Sequence, residues 1–342
     1  MKSKETILWI GGTSGFAQSY FQAFSLTEEW VVVGIEKKKP AWLPGNVTFL
    51  SCDLTENSQE LTKYMKVDHI DRVIVSIRPP LVTYRTNQQS WKYAQAMLHG
   101  LTVLLNSLPS QVRQIVHISS IAAVDHHPRQ SMFSEKDDTV SSSQELSNPY
   151  DRFKRACEER ISHWATSSNP PKSYTHLRFG AIFTDAPACI QCQSLAMQAR
   201  LGPLLAIPID CNSGRNAATL LNLILSSPHD KVLQPIYFYC RPLRFSRPAS
   251  YGTFLQAYRE AYNMRYYLTV PDRWVRLFVL GFHALTRWLG SWVPFLESID
   301  YLLIVTLNEH SFDQTLVQKD FPELISREET ILQCFERRRR IQ

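Results

Sequence analysis

The chain has 342 residues, of which 44% are hydrophobic and 20% are charged, and its formal net charge is +6. These values describe an ordinary globular chain, long enough for one large domain or two small ones. The basic residues are scattered except for two runs, Lys37–Lys39 and Arg337–Arg340, and no basic face is interleaved with aromatic residues, so nucleic-acid binding is disfavoured.

The chain opens with an apolar run, a glycine turn and a predicted helix. Ile7–Ile10 has the length of a strand, and Gly11–Gln18 leads from it into a helix that ends near Phe24. This order of elements is the context in which a dinucleotide binds. Gly12 and Gly15 allow the turn, and they let backbone N–H groups approach a pyrophosphate at the helix N-terminus.

Acidic residues follow the next two predicted strands. Trp30–Ile35 ends in Glu36, whose carboxylate can accept hydrogen bonds from the adenosine ribose and would repel a 2′-phosphate, so it favours NAD. Lys37–Lys39 leave NADP open, because a lysine there could bind that phosphate. Val47–Cys52 is followed by Asp53, which we expect to meet the adenine.

Strands and helices continue to alternate along the chain. The further predicted strands are Arg72–Ile77, Gln114–Ser120, Tyr174–Phe183 and Ile236–Tyr239, and the further helices cover about 91–105, 216–226 and 250–263. This alternation predicts an α/β fold with a Rossmann-type doubly wound parallel sheet and ligands at the carboxyl ends of its strands. We assign residues 1–184 and 206–245 to the NAD(P)-binding core, and residues 185–205 and 246–342 to a smaller C-terminal substrate-binding part.

A predicted helix with a clear start carries the candidate catalytic pair. Asn148 suits the N-cap and Pro149 suits the first helical position. Tyr150 and Lys154 lie four residues apart on one face, where the ammonium group could lower the pKa of the phenol from about 10 to about 7. Tyr150 is therefore a candidate general base or acid. Ser120, at a strand end, either donates a hydrogen bond to a substrate oxygen or satisfies local backbone groups.

The segment 273–305 is rich in Trp, Phe and Leu. Its uncharged runs are shorter than the roughly 18 residues that a membrane-spanning helix needs. Tryptophan and arginine at its borders suit a helix in the membrane interface, and an ordinary buried helix pair is the alternative. The run Arg337–Arg340 is predicted to be a solvated end that could touch anionic lipid.

Seven cysteines, an odd number without a regular framework, indicate reduced thiols. Cys189 and Cys192 have the spacing of half a zinc site, but no matching second pair follows, so we expect no metal. The N-terminus has neither the long apolar region nor the cleavage site of a signal peptide. These features predict a cytoplasmic or cytosol-facing chain, at the endoplasmic reticulum if the source is eukaryotic.

The chain resembles the extended short-chain dehydrogenase/reductase family in its glycine turn, in Glu36 and Asp53, and in Ser120, Tyr150 and Lys154. The strand Arg178–Phe183 also looks like the family's strand after the catalytic helix. The resemblance implies a catalytic group of Ser120, Tyr150 and Lys154 acting with NAD or NADP. We expect the cofactor-binding residues to be Gly12, Thr13, Ser14, Gly15, Phe16, Glu36, Asp53, Ile77, Tyr150 and Lys154.

Within that family, the C-terminal third is similar to the 3β-hydroxysteroid dehydrogenase/isomerase branch. The similarity lies in Tyr237–Tyr239, Pro248–Tyr251, Ile304–Leu307 and Phe312–Asp313. It implies oxidation of a ring hydroxyl of a steroid or sterol-like apolar alcohol by hydride transfer to NAD. It also implies a small apolar substrate, peripheral membrane contact, and the homodimer that is common in the family.

Besides Phe179, which stands for a usual proline, four residues depart from the family's pattern: Gln18 stands for a third glycine, Met97 for an asparagine, and Ile77 and Arg78 for small residues. Together they would fit a non-catalytic, membrane-associated scaffold that keeps its nucleotide only as a structural ligand. A nucleotide-sugar epimerase or dehydratase would use the same Ser, Tyr and Lys. The Trp- and Phe-rich C-terminal part argues against this second alternative.

Overall fold

The computed structural model describes residues 4–56, 69–79, 87–124, 132–134, 142–146, 148–184, 186, 189, 192, 204–205, 208–228, 231–244, 249–264, 269–270, 274, 277, 280–282, 284–285 and 311–341. Two of the stretches that carry the finer resemblance, Pro248 and Ile304–Leu307, lie outside these residues. Most of the apolar segment 273–305 lies outside them as well.

The strands are β1 (Thr6–Ile10), β2 (Glu29–Gly34), β3 (Thr48–Ser51), β4 (Arg72–Val75), β5 (Gln114–Ser120), β6 (Met132–Phe133), β7 (Ser173–Phe179), β8 (Ala181–Phe183), β9 (Leu204–Leu205), β10 (Pro208–Ile209), β11 (Cys211–Ser213), β12 (Ile236–Phe238), β13 (Ala249–Ser250), β14 (Thr269–Val270) and β15 (Ser311–Phe312). The helices are α1 (Gly15–Ala23), α2 (Asn87–Ser107), α3 (Pro149–Ser167), α4 (Gly214–Ser226), α5 (Tyr251–Ala261), α6 (Thr315–Asp320), α7 (Leu324–Arg327) and α8 (Ile331–Ile341).

Seven of the strands form one parallel sheet in the order β3-β2-β1-β4-β5-β7-β12. The chain starts in the middle at β1, runs outward through β2 and β3, and then crosses to β4 on the other side. The strand order therefore reverses between β1 and β4, and a crevice opens there at the carboxyl ends of the strands.

Helices cover both faces of this sheet, as the side chains of β1 illustrate. Ile7 and Trp9 pack on one face against residues of α1 and α4, whereas Leu8 and Ile10 pack on the other against residues of α2 and α3. Because successive side chains of a strand point to opposite faces, a strand buried on both sides needs an unbroken apolar run. The predicted α/β class with a Rossmann-type doubly wound parallel sheet is confirmed.

One predicted strand is divided in the structure. Tyr174–Phe183 forms β7 and β8, which separate at Gly180. The carbonyl of Asp210 lies against Gly180, where any side chain would collide with it, and accepts a hydrogen bond of 3.0 Å from the N–H of Ala181. The chain thus leaves the main sheet at Gly180, and β8 pairs with β11 instead of β5 and β12.

The C-terminal helix α8 packs onto the end of β8 and onto α5. The ring of Phe335 lies 5.5 Å from that of Phe183 and 5.2 Å from that of Tyr258. This apolar cluster joins the last residues of the chain to the segment that follows the main sheet.

The arginine run at the end of α8 makes specific contacts. Arg338 is 4% exposed and donates hydrogen bonds of 2.6 and 2.8 Å to the carbonyls of Thr184 and Ala186. Arg337 forms a 2.7 Å ion pair with Glu329. The prediction of a solvated end is wrong for these two arginines, because α8 folds back onto the residues that follow β8.

A group of apolar side chains with helical backbone geometry is exposed. Trp274, Leu277, Leu280 and Leu285 are 56%, 58%, 61% and 45% exposed. The intervals of three residues between Trp274, Leu277 and Leu280 match neighbouring positions on one side of a helix. In the parts of the chain that the structure describes, no helix combines the length and the hydropathy needed to cross a membrane.

Candidate active site

A cleft of about 430 Å³ lies at the carboxyl edge of the sheet. Its volume falls within the range of about 300–1,000 Å³ that is usual for small-molecule sites. The predicted site residues that line it are Thr13, Ser14, Gly15, Phe16, Glu36, Asp53, Ile77, Ser120, Tyr150 and Lys154. Gly12 is not among the lining residues. A Cβ on Gly12 would lie 2.9 Å from the side chains of Trp9 and Val32, so its role here is packing beneath the turn.

The glycine turn is held in place by its neighbours in the sheet. Gly11 has a φ of +75°, a conformation that favours glycine. Its N–H and that of Gly12 donate to the carbonyl of Val33 at 2.9 and 3.1 Å. Ser76 Oγ donates to the Gly11 carbonyl at 2.9 Å and accepts from Trp9 Nε1 at 2.8 Å. The turn is therefore fixed from β2 and from the residue that follows β4.

The N-terminus of α1 forms one wall of the cleft. Ser14 caps the helix, since its Oγ accepts a hydrogen bond of 3.3 Å from Ala17 N. A Cβ on Gly15 would lie 2.6 Å from Thr184 Oγ1, so the first turn packs tightly against the end of β8. The first N–H groups of a helix have no acceptor within it, and the helix dipole favours an anion beside them.

The Glu36 carboxylate lies beside the glycine turn. A Cβ on Gly34 would lie 2.6 Å from Glu36 Oε2 and would collide with Thr13, so Gly34 leaves the room that both side chains occupy. None of the residues Lys37–Lys39 lines the cleft. Lys39 Nζ instead donates to two carbonyls of the following loop at 3.1 and 2.6 Å.

Departures from the family's pattern lie in the cleft wall at Ile77, Arg78 and Met97. Asp53 also lines the cleft, and its Oδ1 accepts hydrogen bonds of 2.8 and 2.7 Å from the N–H and hydroxyl of Thr55. One oxygen of the carboxylate expected to meet the adenine is thus engaged within its own turn.

The predicted start of the catalytic helix is confirmed. Asn148 Oδ1 accepts hydrogen bonds from Tyr150 N at 2.8 Å and Asp151 N at 3.4 Å, and Pro149 occupies the first turn. The phenol of Tyr150 is half-buried and lies close enough to the Ser120 hydroxyl for Ser120 to lower its pKa. These contacts bring two of the predicted catalytic residues together, one from the end of β5 and one from the start of α3.

The electrostatics of Tyr150 differ from the expectation. Burial raises the pKa of Tyr150 above its ordinary value, and the opposing effects of Ser120 and of the charge of Arg78 are smaller. The Lys154 ammonium points elsewhere: Nζ donates to the carbonyls of Ile77 and Ile118 at 3.0 and 2.9 Å. The expected lowering of the pKa of Tyr150 to about 7 is therefore absent in this structure. The positive charge that lowers the pKa of the phenol is that of Arg78. From the sequence, Arg78 was expected only to reduce the space for the cofactor.

Lys154 is 4% exposed. Burial lowers its pKa to about 8, and the charge of Arg78 adds to this effect, whereas Glu158 opposes it. At that pKa Lys154 is mostly protonated at neutral pH. Its hydrogen bonds to carbonyls that follow β4 and lie near the end of β5 fix it at the floor of the cleft.

A buried acid-base group beneath Lys154 was not foreseen. Ser119 Oγ donates to Glu158 Oε1 at 2.6 Å, and Arg178 Nη2 donates to Glu158 Oε2 at 2.6 Å. Burial opposes ionisation of Glu158, but the charge and hydrogen bonds of Arg178 hold its pKa at about 2. The group ties α3 to β5 and β7. A signal existed in the sequence, because Glu158 follows Tyr150 and Lys154 at the same spacing of four residues.

Cys189 lines the cleft and Cys192 lies beside it, and both are buried thiols. Within the described residues, no group of three or more His, Cys, Asp and Glu side chains is arranged to hold a metal ion.

Comparison with known proteins gives matches among solved structures. Neither a protein-family model nor a curated protein sequence matches the chain. The terminal R domain from the myxalamid PKS-NRPS biosynthetic pathway aligns with a TM-score of 0.67 at 12% identity, over 98% of this chain and 90% of that chain. UDP-glucose 4-epimerase from Bifidobacterium longum, in complex with NAD+ and UDP, aligns with a TM-score of 0.58 at 16% identity, over 78% and 87%. UDP-glucose 4-epimerase from Thermus thermophilus, in complex with NAD, aligns with a TM-score of 0.59 at 18% identity, over 78% and 86%.

The matched epimerases and reductase domains belong to the extended short-chain dehydrogenase/reductase family. At these low identities, the likeness establishes the shared Rossmann-type fold of this chain.

Proposed function

We propose that the protein is an NAD-dependent oxidoreductase of the extended short-chain dehydrogenase/reductase type that oxidises a ring hydroxyl of a steroid or sterol-like apolar alcohol. The observation that carries this proposal is one continuous cleft. It runs from the glycine turn and Glu36 to the neighbouring side chains of Ser120 and Tyr150, with Lys154 beneath.

The residues at the first end of the cleft fit a dinucleotide. The N-terminus of α1 offers N–H groups and a favourable dipole to the pyrophosphate, and Glu36 offers acceptors to ribose hydroxyls. NAD is favoured over NADP because the Glu36 carboxylate repels a 2′-phosphate and Lys39 is engaged by loop carbonyls. When bound, NAD supplies the hydride acceptor for alcohol oxidation.

At the other end, Tyr150 accepts the proton of the substrate hydroxyl on its phenolate oxygen. Burial outweighs the opposing effects of Ser120 and of the positive charge of Arg78, so the pKa of Tyr150 lies above its ordinary value and only a minor, ionised fraction acts as the base at neutral pH. Ser120 also orients the substrate oxygen. Lys154, protonated and held by two carbonyls, adds positive charge to the floor of the cleft.

An apolar substrate is supported by the apolar side chains among the residues that line the cleft. Met97, Phe179 and Ile182 line the cleft together with Tyr150. The exposed side chains of Trp274, Leu277, Leu280 and Leu285 would suit peripheral contact with a membrane surface, from which a poorly soluble alcohol could arrive.

Sedimentation with phosphatidylcholine vesicles tests the proposed membrane contact. The wild type should bind, a variant with serine at Trp274, Leu277 and Leu280 should not, and equal partitioning of the two would refute the contact.

A second candidate is a nucleotide-sugar epimerase. It is favoured by the match to UDP-glucose 4-epimerases, and a Tyr centre would serve equally to oxidise a sugar hydroxyl. A third candidate is the non-catalytic scaffold. It is supported by the large side chains of Ile77, Arg78 and Met97, which take up space in the cleft wall.

One experiment separates the three candidates. The purified full-length protein is incubated with NAD and either 3β-hydroxysterols in detergent or UDP-hexoses, and products are identified by mass spectrometry and NMR. A ketosterol with an equal amount of reduced nucleotide supports the proposal. A C4-epimerised sugar without net nucleotide reduction favours the epimerase. Bound NAD that neither exchanges nor reacts favours the scaffold, and failure to bind NAD refutes the cofactor assignment.

A further inference from the structure

Two cysteines form a pair at the wall of the cleft. Cys189 and Cys192 are separated by two residues, and they are 6% and 2% exposed. The N–H of Cys192 donates to Cys189 Sγ at 3.4 Å, and the Cys192 thiol donates to the carbonyl of Thr184 at 3.5 Å. Cys189 also lines the cleft.

The pair is connected to the glycine turn through Thr184. Its hydroxyl oxygen would lie 2.6 Å from a Cβ on Gly15, so Thr184 packs directly against the first turn of α1. The carbonyl of the same residue receives the Cys192 thiol and, at 2.6 Å, Arg338 Nη1. A change at the sulfurs therefore acts on a segment in contact with the expected pyrophosphate site.

The two thiols are unequal. Hydrogen bonding with Cys192, whose backbone N–H donates to Cys189 Sγ, lowers the pKa of Cys189, and burial opposes this shift. The interaction with Cys189 raises the pKa of Cys192, and burial adds to the effect. One sulfur thus has thiolate character and the other keeps its proton. Thiolate character and access are what make a cysteine reactive toward oxidants, and a neighbouring thiol can resolve the first product.

We propose that Cys189 and Cys192 are a thiol oxidation site at which a hydroperoxide converts the dithiol to a disulfide beside the nucleotide cleft. The Cys189 thiolate attacks the terminal oxygen of the hydroperoxide, which breaks the O–O bond, forms a sulfenic acid and, after protonation, releases an alcohol or water. The Cys192 sulfur then attacks the sulfenic sulfur and releases water. The dithiol loses two electrons and two protons, and the hydroperoxide is reduced.

Oxidation removes the hydrogen that the Cys192 thiol donates to Thr184. It thereby loosens the contact of Thr184 with Gly15, and we expect the dissociation constant for NAD to rise several-fold. This last step rests on the proposed nucleotide site, whereas disulfide formation does not.

The test uses the reduced full-length protein, titrated with hydrogen peroxide and mapped by mass spectrometry after thiol blocking. The wild type should yield a peptide pair joined through Cys189 and Cys192. Cys192→Ser should instead retain a sulfenic acid on Cys189 that dimedone captures, and Cys189→Ser should give neither product. Cys52→Ser is the matched control, because Cys52 also lines the cleft and is also 6% exposed, and its loss should leave the disulfide yield unchanged.

The proposal is overturned if no such disulfide forms, or if Cys52 is oxidised as fast as Cys189. An arm with saturating NAD separates this inference from the proposed function. Slower oxidation with NAD supports both. A disulfide that forms equally fast with NAD, in a protein that binds no NAD, supports the oxidation site and refutes the nucleotide assignment.

Discussion

The ion pair beneath the catalytic helix should respond strongly to Glu158→Gln. The Glu158 and Arg178 side chains are 4% and 0% exposed, and their closest atoms are 2.6 Å apart. Glutamine keeps the shape of the side chain but leaves the guanidinium charge buried without its counter-charge. Breaking a buried pair on one side costs about 3–5 kcal/mol, so we expect the free energy of unfolding to fall by that amount at neutral pH.

The pH dependence gives a second estimate. Burial opposes ionisation of Glu158, but Arg178 holds its pKa at about 2, below the ordinary value of 4.5. Because the folded-state pKa is the lower one, the pair stabilises the protein above about pH 4.5, and this stability is lost as the pH falls from 4.5 toward 2. A difference of about 2.5 pKa units at about 1.4 kcal/mol each amounts to about 3 kcal/mol.

Urea unfolding of the wild type and Glu158→Gln, at neutral pH and at steps through that acid window, measures both quantities. Glu336→Gln removes an exposed carboxylate from α8 and should change stability by less than about 0.5 kcal/mol. Adding Arg178→Met to Glu158→Gln should restore part of the loss, because it removes the stranded charge. A Glu158→Gln protein as stable as the wild type, or a difference that persists unchanged below the acid window, would refute the reasoning.

Three further substitutions test the cleft and the C-terminal helix. Gly15→Ala introduces a Cβ 2.6 Å from a threonine hydroxyl and should weaken NAD binding roughly tenfold by calorimetry, whereas Gly45→Ala, with nothing within 4 Å, should leave it unchanged. Glu36→Ala removes a charged acceptor worth about 1.5–3 kcal/mol, so the dissociation constant should rise at least about tenfold for NAD but not for NADP. Arg338→Met removes hydrogen bonds to two buried carbonyls and should lower the free energy of unfolding by about 2–4 kcal/mol, whereas Arg340→Met, at an exposed position, should not.

The central sheet could be predicted from the sequence because strands that are buried on both faces need unbroken apolar runs. Predicted and observed bounds agree for Gln114–Ser120, and for β1 to β4 they differ by at most two residues at either end. The long helix α2 begins at Asn87, four residues before its predicted start, since propensity changes little at a helix end. The division of β7 from β8 at Gly180 depends on the distant carbonyl of Asp210, which no local pattern reveals.

The candidate site was foreseen as a set of residues, but its electrostatics were not. The N-cap at Asn148 is a local feature and was confirmed. The direction of the Lys154 ammonium depends on two carbonyls from different strands, and the pairing of Glu158 with Arg178 joins α3 to β7. Such contacts are set by the fold, whereas sequence spacing reports only which residues share a face.

The central claim is that Tyr150 carries the chemistry of an NAD-dependent alcohol oxidation. Its most direct test is the absorbance of reduced nucleotide formed from NAD and 3β-hydroxysterols by the wild type, Tyr150→Phe and Tyr93→Phe, which removes another phenol from the cleft wall. The account predicts turnover by the wild type and Tyr93→Phe, and a loss of about 100-fold or more in Tyr150→Phe with unchanged NAD affinity. Full activity of Tyr150→Phe, or a wild type that binds NAD and reduces none of it, would contradict the account.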